Sequence, residues 1–304
     1  MNKMESKKQY VIYLPQRNNL YFYHELDSWQ QDNHFIRSAY VKHTSSYKKC
    51  LESMTYLHNE TVNIYSHLMP AALTAIILFL YVIYWSASTP AWIRLSYFLF
   101  GIGAYTCLTS SALFHLFKSH SPRVCGFGNQ CDYFGIVVMI TFSLISVVMF
   151  VFEEVPQWRN SLVVIFMTLG SVCTIMTFDK KFSTPLYRPL RSFVFVIYGL
   201  SGVIPVIIAA NVFGKIDAFH RLSAQWLILE GLFYIVGAFL YAARIPERFC
   251  HTEETRCKKV PGKFDIFGHS HQIFHIMVLI AAACHLKALS NCHVHWQSRK
   301  SYDT

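Results

Sequence analysis

Residues 68–85 read LMPAALTAIILFLYVIYW, without one charged side chain. The hydrocarbon core of a bilayer is about 30 Å thick, and a helix rising about 1.5 Å per residue needs roughly 20 apolar residues to cross it. This stretch meets that requirement, and six more runs follow it: Leu95–Phe117, Tyr133–Phe152, Ser161–Phe178, Ser192–Phe213, Ser223–Ala243 and His269–Leu289. The last is interrupted by His271, His275, His285 and Lys287, and Pro205 is expected to kink the fifth. The predicted fold is all-α, a seven-transmembrane-helix bundle. Residues 1–66 form a polar N-terminal region, 67–290 the membrane domain and 291–304 a tail.

Composition agrees with a lipid environment. Of 304 residues, 53% are hydrophobic and only 14% charged, against about 25% charged in an ordinary soluble domain. The net charge of +10 does not signal nucleic-acid binding, because the basic residues lie in the connections between apolar runs. Counting Lys and Arg on the two sides gives 20 against 7 if the N-terminus is cytoplasmic, and still 12 against 7 without the N-terminal region. The positive-inside bias therefore predicts a cytoplasmic N-terminus and an extracytoplasmic C-terminus, in the endoplasmic reticulum or plasma membrane. No removable signal peptide is visible in the polar first sixty or so residues. Tyr21, Phe22, Tyr23 and Trp29 suggest an amphipathic segment lying on the membrane face. The nine cysteines, an odd number and partly inside spans, are no disulfide framework.

In that topology the end of the second span and the starts of the third and seventh share the cytoplasmic leaflet. Those ends carry Ser111-Ala112-Leu113-Phe114-His115, then Asp132, then His271-Gln272-Ile273-Phe274-His275. His271 and His275 are one helical turn apart on one face, a spacing that lets two imidazoles reach one metal ion. With His115 they make three neutral nitrogen ligands and leave one tetrahedral position open, the arrangement of a catalytic zinc. Asp132 is either a fourth ligand or the group that holds a water on the metal, and Ser111 suits a supporting hydrogen-bond donor. Interfacial histidines satisfied by carbonyls or headgroups are the plain alternative. Ionisable groups within spans are costly, though, and three separate segments bring them to one depth. His120, five residues from His115, lies on another face.

At these residues the chain resembles the progestin and adipoQ receptor family, the haemolysin III-related group of seven-helix proteins that includes adiponectin receptors, and within it the fungal branch linked to zinc homeostasis and lipid metabolism. The resemblance runs from about Glu25 to Leu289. It is carried by Leu57–His67 (LHNETVNIYSH), Ser111–His115 with Lys118–Ser121, Asp132–Gly135 (DYFG), and Gly262–His275 (GKFDIFGHSHQIFH), with 17 residues from His115 to Asp132 as in the family. It implies zinc on His115, His271 and His275 with Asp132 near the water. It also implies a lipid cavity among the helices holding ceramide or fatty acid, and weak hydrolysis of ceramide-like amides in some members. A receptor of this kind also leaves room for an extracellular protein ligand. One departure is a polar insertion at 251–260, where Cys250, His251 and Cys257 match no standard zinc spacing and read as a solvated loop.

Three further readings concern polar residues. Glu60, Asn63 and His67 fall on one helical face leading into the first span, where they line the cytoplasmic vestibule, brace the zinc helices, or form a polar capping segment at the interface. Cys125 and Cys131 flank a short loop before Asp132 and are free thiols in a reducing cytosol. His285, ten residues and about 15 Å beyond His275, makes a polar contact between helices. A zinc transporter is disfavoured, since apart from His285 no matching ligands lie deeper in the membrane.

Overall fold

The computed structural model describes residues 20–84, 89–179, 182, 187–250 and 260–302. The 251–259 stretch with Cys257, the first nineteen residues and Trp85 lie outside them. The described chain is helical: α1 (Tyr47–Ser53), α2 (Thr61–Tyr84), α3 (Ala91–Phe117), α4 (Pro122–Val151), α5 (Pro156–Phe178), α6 (Arg188–Leu200), α7 (Val203–Phe213), α8 (Lys215–Leu222), α9 (Ala224–Ala243) and α10 (Ser270–Tyr302). Seven helical segments among the described residues are long and apolar enough to cross a membrane, α6 and α7 together forming the fifth. Apolar side chains such as Met69, Phe79, Val164 and Phe239 point outward, as a lipid-facing surface requires. The protein is a multi-pass integral membrane protein.

The fifth span breaks where Pro205 dictates. Ser201 and Gly202 separate α6 from α7, one turn before a proline that has no N–H to offer the Ser201 carbonyl. α3 and α4 are antiparallel neighbours in close approach: a side chain on Gly135 would meet the Cys107 backbone at 2.8 Å. Small residues at such crossings let membrane helices pack backbone to backbone. His285 holds α10 to two other helices, with Nε2 3.0 Å from Ser146 Oγ on α4 and Nδ1 2.8 Å from Glu230 Oε2 on α9, as an interhelical polar contact should.

Two helix boundaries differ from the sequence reading, and the N-terminal aromatic segment takes a form hydropathy does not show. Asp132 does not open a helix and Cys125 and Cys131 do not flank a loop: Ser121 caps α4 by accepting from Val124 N–H, Pro122 occupies its first turn, and the helix runs through all three residues. The segment 122–131 is polar and glycine-containing, so hydropathy sees the start of the lipid-facing run and misses the start of the helix. At the other end α10 continues to Tyr302, past the expected tail boundary at 290, with Cys292 buried and Asn291 donating to Ser223 Oγ at 3.0 Å. The segment holding Tyr21, Phe22, Tyr23 and Trp29 is built from a short strand and 3-10 turns. Leu20–Tyr21 (β1) pairs antiparallel with Tyr40–Val41 (β2), two short 3-10 turns lie between them, and Leu26, Ile36 and Tyr40 make a small core. Aromatic residues in succession alternate faces in a strand, and the partner strand lies about twenty residues away, beyond any local pattern.

Candidate metal centre

The three histidines are brought together by the ends of two helices. His115 sits in the last turn of α3, and His271 and His275 occupy the first two turns of α10. Their ring centroids are 4.7–5.0 Å apart, and one ligand atom from each lies within 4.8 Å of the others. His115 Nε2 and His271 Nε2 are 3.1 Å apart. A tetrahedral zinc with Zn–N of about 2.0–2.1 Å places neighbouring nitrogens roughly 3.3 Å apart, so the His115–His271 pair already stands near that separation, while wider separations in the set, within 4.8 Å, would have to close. His115 and His275 are each 2% exposed.

Supporting contacts fix which nitrogen each ring offers. His115 Nδ1 lies 2.8 Å from Glu60 Oε2, and a carboxylate can only accept, so Nδ1 carries the proton and Nε2 keeps its lone pair for a metal. His275 Nδ1 lies 3.0 Å from Ser66 Oγ, whose own O–H donates to the Asn63 carbonyl at 3.2 Å. Ser66 is then the acceptor, and Nε2 of His275 is free in the same way. Glu60 also accepts from Lys118 Nζ at 2.7 Å and from Asn63 Nδ2 at 2.6 Å. Burial alone would raise the Glu60 carboxyl, but the ammonium of Lys118 and the contact with His115 outweigh it and hold the group well below the usual carboxylate range. This is the carboxylate–histidine pairing that orients metal ligands. Of the three readings of the α2 face, bracing is the one these contacts describe. His67 stacks flat on His275, with centroids 3.7 Å apart and planes 4° from parallel.

Asp132 lies outside the three-histidine cluster. Its carboxylate accepts from the Ser111 hydroxyl. The close α3–α4 crossing explains this meeting: Asp132 is one turn before Gly135, and Ser111 is one turn after Cys107 on the antiparallel helix. His120 takes no part, its ring resting on Tyr47 with a centroid distance of 4.1 Å.

Two carboxylates that the sequence reading gave no role hold the site's frame. Glu247 accepts from Asn33 Nδ2 at 3.1 Å, from the backbone N–H of Ser270 at 2.8 Å and from the Ser270 hydroxyl, so it caps α10 one residue before His271. Asp265 accepts from Arg37 N–H at 2.9 Å, Ser38 Oγ at 2.6 Å and Gly262 N–H at 2.7 Å. The only available signal was the presence of Asp265 in the quoted 262–275 stretch; Glu247 gave none. The eight described cysteines are free thiols.

Seven membrane-length helices among the described residues, with a histidine cluster that could hold a metal ion at one end of the bundle, define the class: a multi-pass membrane protein with a candidate metal centre. Residues 55–286 match the family described as Haemolysin-III related, and the chain belongs to that family. It is similar to the ADIPOR-like receptor IZH2 of Saccharomyces cerevisiae, 40% identical over 276 residues that cover 90% of this chain and 84% of the relative. The ADIPOR-like receptor IZH1 of Eremothecium gossypii is 36% identical over 291 residues, 94% and 88% of the two chains. The adiponectin receptor protein of Drosophila melanogaster is 36% identical over 268 residues, 88% and 58% of the two. The resemblance carried by the motifs is thereby borne out.

Proposed function

We propose that this receptor-like membrane protein binds zinc on His115, His271 and His275, acts in lipid metabolism and zinc homeostasis, and hydrolyses an amide in a membrane lipid of the ceramide class. The observation that carries the reading is the division of labour among the polar groups. Three imidazoles supply three ligands, while Asp132, held by Ser111, stays out of the ligand set. Three protein ligands with an open fourth position are the mark of a catalytic rather than a closed structural zinc. When bound, zinc supplies a Lewis acid that polarises an amide carbonyl and lowers the pKa of water toward about 7. Glu60 and Ser66 hold the imidazoles of His115 and His275 in the ligating tautomer. Asp132 takes the proton from the attacking water, and Ser111 keeps its carboxylate aimed. The positive-inside count predicts that this end of the bundle faces the cytosol, so in this reading the scissile amide meets the site near that interface.

A second reading makes the zinc a structural tie in a signalling receptor. It is favoured by the way contacts from Glu60, Ser66 and His67 join α2 to the cluster formed by α3 and α10. Asp132→Asn separates the two readings. The change is nearly isosteric and leaves three imidazoles, so zinc content should stay at about one equivalent, while ceramide turnover should fall about 10²-fold or more, the scale for losing a general base. Unchanged turnover in Asp132→Asn, or no fatty acid released by the zinc-loaded wild type in lipid, leaves the structural tie as the better account.

A further inference from the structure

His285 lies about 15 Å beyond His275 along α10, halfway across a hydrocarbon core of about 30 Å, where its ring meets Glu230 of α9 and Ser146 of α4. Ionisable side chains at that depth are costly and default to a functional role, yet this pair has no part in the histidine cluster. Serine, histidine and carboxylate in a row have the order of a hydrolase triad. The local geometry excludes that use: Ser146 is 0% exposed and its hydroxyl donates to the Ser143 carbonyl at 2.7 Å, so no substrate reaches it and it has no proton left for the histidine to take.

The same bond fixes the protons on the ring. Ser146 Oγ has given its one hydrogen to Ser143, so at 3.0 Å it accepts from His285, and Nε2 carries a proton. At the other edge Nδ1 lies 2.8 Å from Glu230 Oε2. A bare Nδ1 facing an ionised carboxylate would set two acceptors against each other, so one proton lies between them, on the ring or on the carboxyl. In either form the pair is neutral, as imidazolium with carboxylate or as imidazole with carboxylic acid. Nothing else there balances a charge. Among the described residues no Lys or Arg pairs with Glu230, and Lys287, two residues from His285, is exposed. The other ionisable groups beside the pair are Tyr234 of α9, Cys107 of α3 and Cys284 of α10, which are uncharged in their protonated forms. Phe100 of α3 stacks on His285 with centroids 4.6 Å apart, a π face that attracts positive charge.

We propose that Glu230 and His285 form a proton-binding site in the middle of the bundle, in which one proton held between Nδ1 and Oε2 keeps the pair neutral and latches α9 onto α10. Loss of that proton leaves a net negative charge without a counter-ion in the core of the membrane. It also leaves one proton for the two ring contacts, so either Glu230 or Ser146 faces a bare nitrogen. The proton exchanges through the carboxyl, because Glu230 keeps 13% of its side chain exposed against 3% for His285. At its other end α9 sets Tyr241 edge-on against His271, with centroids 4.8 Å apart, so the latched helix is one that packs on the histidine cluster.

The test counts the proton on the full chain in lipid nanodiscs, with zinc content measured on the same samples. At pH 7, nitrogen NMR of ring-labelled histidine should show both nitrogens of His285 protonated, a signal absent from His285→Gln, or else a neutral ring together with an infrared band of a protonated carboxyl that is absent from Glu230→Gln. A neutral ring with no such band overturns the assignment. Glu230→Gln mimics the protonated pair, since its amide donates to Nδ1 while Nε2–H still meets Ser146, and it should fold with wild-type zinc content. The latch is read as hydrogen-exchange protection of the α9 amides, corrected for intrinsic exchange, between pH 7 and about 10. Wild type should lose up to about tenfold of that protection per pH unit once the proton leaves, the slope for one proton, while Glu230→Gln should stay flat. Equal slopes in the two proteins overturn the latch, and so does a Glu230→Gln chain that fails to fold.

Discussion

Glu60 ties together three groups that would otherwise be buried at cost: the Nδ1–H of His115, the ammonium of Lys118 and the amide of Asn63. Glu60→Gln keeps the size and removes the charge. It should weaken zinc binding by about 10- to 100-fold, the usual effect of losing a ligand's outer hydrogen-bond partner, with the helices intact; competition with a graded series of chelators measures it. Affinity equal to wild type would mean His115 is positioned by packing alone. The pH dependence follows from the depressed carboxyl, whose ordinary value is 4.5. A group ionised more easily in the folded state than in the unfolded one stabilises fully above about pH 4.5, and that contribution is lost as pH falls below this through the lower folded value. Glu60→Gln should flatten acid unfolding in that window. The histidine cluster was legible in the sequence because two independent patterns, the four-residue spacing and the common depth of the span ends, chose the same histidines. The sequence left Glu60 undecided because no pattern in it states how α2 is rotated about its axis relative to α3.

At the scale of elements, the N-terminal cap and the start of α10 are one construction. Glu247, 1% exposed, joins Asn33 of the cap to the first residue of α10, and Asp265 joins Arg37 and Ser38 to the connection that leads into it. Glu247→Ala would orphan the Ser270 N–H and the Asn33 amide in a buried place, at about 1–3 kcal/mol for each group left unpaired. The expected result is a lower melting temperature in detergent together with weaker zinc retention, because His271 sits in the turn that Glu247 caps; Glu247→Gln should lose less of both. A melting temperature unchanged in Glu247→Ala would show that the cap does not position α10. None of this was visible to hydropathy, which reads contact with lipid. The Asn33–Glu247 pair spans 214 residues and the Arg37–Asp265 pair 228. Their side chains look like ordinary loop polarity until the chain is folded. The same limitation explains why the seven spans were placed well in their apolar middles while α4 began eleven residues before its expected start at Tyr133.

For the whole molecule, the histidine cluster at the start of α10 and the C-terminal turns of the same helix lie at opposite ends of the bundle, so one orientation decides which leaflet holds the cluster. The count of 20 Lys and Arg against 7 favours the histidine end in the cytosol. The native sequon Asn59-Glu60-Thr61 is a poor reporter of this: Asn59 is 4% exposed and its backbone N–H is bonded to the Ala39 carbonyl at 2.9 Å, so the folded protein has no room for a glycan there. Added sequons can report on it. One fused with a flexible spacer ahead of Met1 should remain unmodified, and one fused after Thr304 should be glycosylated, read as a mobility shift reversed by an endoglycosidase. Matching epitope tags should be protected and exposed in the same pattern in intact cells for any copies at the plasma membrane. A glycan on the N-terminal sequon alone would invert the bundle and move the histidine site to the extracytoplasmic leaflet, where zinc would be drawn from outside the cytosol and the amide would have to be reached from the opposite face of the bilayer.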